Sequence, residues 1–194
     1  MEKLLEKIRT ELGGVDILVN NAGGGGHQND METPADEWLD SYLTNVLSMV
    51  RLIQKLLPAM QEQGWGRIIN ISSGASVKPS PGMGAYSTTK AAVNNLTVTM
   101  AQAMGNDNVT INTVSPGAIF TSGTGEMFIE HGMAADMKEA REVMNKMAEG
   151  DIPFDRVGEV DEIANVVVFL CSPLASYVHG ANIRVDGGYV PTVN

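Results

Sequence analysis

The segment Arg67-Ile68-Ile69-Asn70-Ile71-Ser72 is apolar and β-branched at successive positions rather than at alternate ones. A strand of that kind is buried on both faces, and such strands belong to parallel sheets with helices on either side. Val15-Asp16-Ile17-Leu18-Val19-Asn20 and Val109-Thr110-Ile111-Asn112-Thr113-Val114 read the same way, with Ser115-Pro116-Gly117 breaking the latter. A last short strand falls at Ile183-Arg184-Val185. Helical periodicity fills the intervals. Residues 2–12 carry Leu4, Leu5, Ile8 and Leu12 on one side and stop at Gly13-Gly14. A long helix opens near Pro34, shows a wide apolar stripe from Trp38 to Leu57, and ends at Gly64 and Gly66. Residues 85–104 and 159–170 are further helices, and the Met-rich, acidic segment 122–150 predicts one or two more. Strands alternating with helices give the α/β class: one domain over residues 1–194, built on a parallel sheet with helices on both faces.

Such sheets bind ligands beyond the carboxyl ends of their strands. Asn20 to Gly23, Ser73, and Pro116-Gly117 fall at three of those ends. The helix that follows the Gly-, Ser- and Pro-rich loop 73–84 carries Tyr86 and Lys90, four apart and hence on one face. A phenol titrates near 10 in water, and an ammonium one turn away stabilises its phenolate, which brings it toward useful acid–base chemistry. A formal net charge of -10 argues against nucleic acid or an anionic membrane as partner. The single cysteine, Cys171, excludes a disulfide within the chain and suits a reducing cytoplasm. The charged start of the chain does not read as a signal peptide, and no apolar run approaches the roughly 20 residues a membrane span needs. His27, His131 and His179 are isolated and lack metal-ligand spacing, so no metal site is expected. No Walker loop, zinc-helix motif or nucleophile elbow is present.

Taken together, Asn20-Asn21-Ala22-Gly23, Asn45, Ser73, Tyr86-x-x-x-Lys90, Pro116-Gly117-Ala118-Ile119-Phe120-Thr121 and Val185-Asp186-Gly187-Gly188 resemble the short-chain dehydrogenase/reductase family, including the thirteen-residue step from Ser73 to Tyr86. The resemblance covers essentially the whole chain. It implies a Rossmann-like, doubly wound parallel sheet and an oxidoreductase that moves hydride between NAD or NADP and a small ketone or secondary alcohol. It also implies that Tyr86 exchanges the proton, Lys90 tunes it and holds the cofactor ribose, Ser73 binds the substrate oxygen, and Asn45 holds a relay water. Asn21, Ala22 and Gly23 would lie along the adenosine side of the cofactor, and Pro116, Gly117, Ile119 and Thr121 along the nicotinamide. Residues 122–150 would be the substrate-covering lid, whose methionines offer an adaptable apolar surface. A homotetramer or homodimer is expected through the helices at 38–63 and 85–104, with a second interface at 159–172 and the last strand.

One departure stands out. The family opens with a Thr-Gly-x-x-x-Gly-x-Gly loop that cradles the cofactor pyrophosphate at a helix N-terminus, and this sequence has no such loop. The expectation is an N-terminally truncated form with about four strands, lacking two βαβ units of about 30 residues each. Residues 15–20 would then form the sheet edge. The alternative function is a catalytically silent chain of the same fold that binds no cofactor, a fragment or an interaction subunit. The choice between NAD and NADP is not legible, because the residues that make it follow the family's second strand.

Overall fold

The structure is a computed structural model that describes residues 2–25, 30–105 and 107–192. In chain order the elements are α1 (Glu2–Leu12), β1 (Ile17–Asn20), α2 (Ala35–Tyr42), a π-helical turn (Leu43–Leu47), α3 (Ser48–Glu62), β2 (Gly66–Ile71) and a 3₁₀ turn (Gly74–Ser76). There follow α4 (Gly84–Ala103), β3 (Val109–Pro116), β4 (Ile119–Phe120), α5 (Ser122–Glu130), α6 (Met137–Ala148), β5 (Gly158–Glu159), α7 (Val160–Cys171), a second 3₁₀ turn (Pro173–Ala175) and β6 (Asn182–Val185). The main sheet runs β1-β2-β3-β6, parallel throughout. On one face Leu18, Ile68 and Ile111 meet Ile53 and Met60 of α3 and Ala101 of α4. On the other, Ile69, Val114 and Ile183 meet Ile163, Val167 and Leu170 of α7. Each fully buried aliphatic side chain here contributes about 1.5–3 kcal/mol.

Three sequence expectations need correction. The first strand is covered on one face only: Leu18 and Asn20 are buried, whereas Ile17 and Val19 remain 43% and 41% exposed. On that side Val19 borders an open cavity that α7 also lines, and no helix of the described residues packs on β1 there. The long helix from Pro34 is interrupted, because Ser48 N–H donates to the Leu43 carbonyl and widens one turn around Asn45. Pro116 does not break β3, which pairs with β6 through Pro116. Thr113 and Gly117 donate their N–H groups to Ala181 and Val185. The nitrogen of residue 116 therefore faces the opposite side, where β2 has already ended, and proline's missing N–H costs no ladder bond.

Residues 122–150 form α5 and α6, which build a small core of their own around Phe120, Phe128, Ala140 and Ile152. The short parallel pair β4–β5 beneath them was not anticipated. Met127, Met133, Met137 and Met147 stay largely exposed. Cys171 ends α7 half-buried, and burial pushes its thiol above the ordinary range. No helix of the described residues is long and apolar enough to cross a membrane.

A buried polar chain ties the strands to α4. Asn20 Nδ2 donates to Asn70 Oδ1 (2.8 Å), Asn70 Nδ2 to Thr97 Oγ1 (2.9 Å), and Thr113 Oγ1 to the same Thr97 oxygen (2.8 Å). Asn20 thus stitches β1 to β2. Asn70→Ala strands the Asn20 amide and removes a donor from Thr97, and is expected to destabilise the fold by about 1–3 kcal/mol for each group left unpaired. Urea unfolding measures it; a loss below about 1 kcal/mol would mean that water replaces the missing amide.

Candidate active site

The turns leaving β1, β2 and β3 converge on the first half of α4. Between them and α7 lies a cavity of about 540 Å³ lined by Asn21, Gly23, Ser73, Tyr86, Lys90, Pro116, Gly117, Ile119 and Thr121. Nine of the eleven residues expected at the site therefore share one space, at the carboxyl ends of parallel strands. The other two, Ala22 and Asn45, do not line it: Ala22 is exposed on the turn and Asn45 is fully buried behind it. Val160, Ile163, Ala164 and Val167 supply an apolar wall from α7. The sequence concealed that wall, since the cavity side of α7 is as apolar as its sheet side.

Lys90 is held at both ends by the end of β2. Its carbonyl accepts from Ser72 Oγ (2.9 Å), and its ammonium donates to the Ile71 carbonyl (2.9 Å). No carboxylate among the described residues forms an ion pair with it, and burial pushes its pKa down from 10.5 to about 8. The ammonium stands 5.5 Å from the centroid of the Tyr86 ring, the one-face arrangement that four-residue spacing implies.

The β1 turn lies flat against this pair. A Cβ at Gly23 would sit 2.5 Å from Asn45 Oδ1 and 3.4 Å from Lys90 Nζ, and one at Gly25 would sit 2.7 Å from Tyr86 Cβ. Only glycine permits that approach. Asn45, presented by the π turn, grips the turn from behind: Gly24 N–H donates to its Oδ1 and its Nδ2 donates to the Gly24 carbonyl, both at 2.9 Å. Its side chain thus braces the turn against the Tyr86–Lys90 pair. A π turn at such a place is a recurrent feature of functional sites.

Ser73 precedes the first 3₁₀ turn and accepts from Ala75 N–H (3.1 Å), which leaves its O–H to donate into the cavity. Thr121 caps α5 by accepting from Thr124 N–H (3.1 Å). His131 and His179 lie elsewhere. His179 Nδ1 accepts from Ile111 N–H and its Nε2 faces the Ala101 carbonyl, His131 bonds the Met127 carbonyl, and His27 with Gly26 falls outside the described residues. No group of three metal-ligating side chains occurs among the described residues.

Residues 1–190 match a family profile described as enoyl-(acyl carrier protein) reductase. The chain is 38% identical over 188 residues to the 3-oxoacyl-acyl-carrier-protein reductase of Aquifex aeolicus, covering 97% of this chain and 71% of that one. It superposes with a TM-score of 0.91 and 33% identity on the L-sorbose reductase of Gluconobacter frateurii complexed with NADPH and L-sorbose, over 99% of this chain and 73% of that one. A 7α-hydroxysteroid dehydrogenase complexed with NADH and 7-oxo glycochenodeoxycholic acid aligns at a TM-score of 0.83 and 35% identity, over 99% and 70%. The chain belongs to the short-chain dehydrogenase/reductase family of oxidoreductases.

Proposed function

We propose that this chain interconverts a small ketone and its secondary alcohol with NAD or NADP, and that Tyr86 exchanges the proton. The observation that carries this reading is the meeting of Tyr86, Lys90 and Ser73 with Pro116, Gly117, Ile119 and Thr121 in one cavity at the strand ends. The cavity suits the nicotinamide–ribose half of such a cofactor. Lys90 offers an ammonium for the ribose hydroxyls, and the Pro116–Thr121 stretch together with the α7 wall offers a flat, mostly apolar slot for the ring. Solved relatives hold NADPH or NADH. When bound, the reduced nicotinamide supplies hydride to the carbonyl carbon.

The chain's own residues manage the oxygen. Ser73 O–H donates to the carbonyl oxygen and draws its charge out of the carbon. Tyr86 gives its phenolic proton to the same oxygen as the carbinol forms, and the Lys90 ammonium offsets the phenolate charge left behind. In the oxidative direction Tyr86 takes that proton back. Asn45 acts at one remove, by keeping the Gly24 turn against Tyr86 and Lys90.

Titration with NADH and NADPH, followed by nucleotide fluorescence quenching and then by turnover on a panel of ketones, tests this. Micromolar binding of either nucleotide with ketone-dependent oxidation is expected. Binding of neither would assign the chain to the catalytically silent reading. We also propose a homodimer or homotetramer, since Val168, Phe169, Leu174 and Tyr177 expose large apolar surface along α7 and the turn after it. A monomer by light scattering would overturn that.

A further inference from the structure

The helix that carries Tyr86 is not capped by its own sequence. Its N-cap position is Met83, whose side chain makes no capping hydrogen bond. The first turn of any helix leaves backbone N–H groups without helical partners. Here the acceptor comes from far away: Asp30 Oδ1 takes the Gly84 N–H at 2.6 Å and Asp30 Oδ2 takes the Gly82 N–H at 2.7 Å. Short, charge-assisted bonds of this kind are about twice as strong as neutral ones, and an anion is favoured at the positive end of a helix. A Cβ on Gly84 would lie 2.7 Å from Asp30 Oδ1 and 2.9 Å from Trp38 Cη2, so residue 84 must be glycine for the grip to close.

The two gripped amides flank the joint between the loop that follows Ser73 and the helix that begins two residues before Tyr86. Across the ring, Gly25 packs on Tyr86 from the β1 turn. Asp30 and Gly25 thus hold the start of α4 from the same inter-element connection, one by hydrogen bonds to its backbone and one by contact with the aromatic side chain.

We propose that Asp30 is a positioning residue for Tyr86: its carboxylate fixes the first turn of α4, and with it the phenol, against the β1 turn. This rests on the assignment of Tyr86 as the proton donor. Misplacement by about 1 Å can cost about 100-fold in rate, so Asp30→Ala is expected to lower kcat by about 10- to 100-fold. KM for the ketone and the dissociation constant for the nucleotide should change less than about 3-fold, because Asp30 does not line the cavity. Asp30→Asn keeps one acceptor oxygen and should recover part of kcat.

The test pairs those kinetics, run well below the unfolding temperature, with amide hydrogen exchange at Gly82 and Gly84 in the nucleotide-free protein. Exchange at both amides should accelerate in Asp30→Ala and fall between in Asp30→Asn. Unchanged exchange would overturn the grip itself. Faster exchange with wild-type kcat would reduce Asp30 to a helix cap and overturn its positioning role. A wild-type protein that neither binds nucleotide nor turns over would overturn this proposal and the oxidoreductase reading together, and nucleotide binding by wild type tells that failure from the others.

Discussion

Tyr86→Phe is expected to lower kcat by about 10²- to 10⁴-fold, the range over which a positioned general acid acts, and to leave stability almost untouched. The second half follows from the hydroxyl's surroundings. Among the described residues it makes no hydrogen bond, and the ring keeps its contacts with Gly25 and the Lys90 ammonium. Removing it therefore breaks nothing in the fold. Ser73→Ala behaves differently on both counts. It deletes the acceptor for Ala75 N–H, worth about 0.5–2 kcal/mol as a cap. It also takes away one hydrogen bond to the substrate oxygen, while the proton donor remains. Its kcat should fall less than that of Tyr86→Phe, and its urea midpoint should fall more. Steady-state kinetics at saturating nucleotide beside urea unfolding of the two variants gives both comparisons. Equal kcat losses would undo the division of roles between phenol and hydroxyl.

The strands and the chemical pair were legible for simple reasons. The β-branched runs around Asn70 (Ile68, Ile69, Ile71) and Asn112 (Val109, Thr110, Ile111, Thr113, Val114) suit a sheet covered on both sides, and four-residue spacing on a helix settles that Tyr86 and Lys90 share a face. What escaped the sequence depends on long-range partners. Over Leu43–Leu47 a π turn and an α turn place apolar side chains nearly alike, so periodicity cannot tell them apart, and the widening becomes visible only with Gly24 bonded to Asn45. Pro116 reads as a breaker because the residue type says nothing of which neighbour its nitrogen faces. The open face of β1 is likewise a property of what lies opposite Ile17 and Val19. Asp30 has the same character: nothing near residue 30 signals a helix start at residue 84, and nothing near residue 84 signals a distant carboxylate. Local patterns thus disclosed the candidate pair, and tertiary contacts disclosed what packs against it.

Lys90 ties stability to the same chemistry, and its sign can be worked out. Burial pushes its pKa from the ordinary 10.5 down to about 8, so the folded chain releases this proton before the unfolded chain does. Between those two values the unfolded state binds more protons, and stability should rise with pH. Below about pH 8 both states hold the proton, and the cost of keeping a buried ammonium stands in full, about 3 kcal/mol on an order-of-magnitude scale. Lys90→Met should abolish that rise. Subtracting its stability curve from that of wild type across the window removes the contribution of Cys171, which both proteins share. Activity should run the other way. The proposed function places the ammonium opposite the phenolate and at the ribose hydroxyls, so kcat/KM of wild type should fall as pH passes about 8, and Lys90→Met should be nearly inactive at every pH. A chain that tolerates a destabilising charge where it is useful shows the usual trade between stability and activity at a reactive site. Parallel stability curves for wild type and Lys90→Met would mean that water reaches the ammonium freely, and the burial of Lys90 would have to be given up.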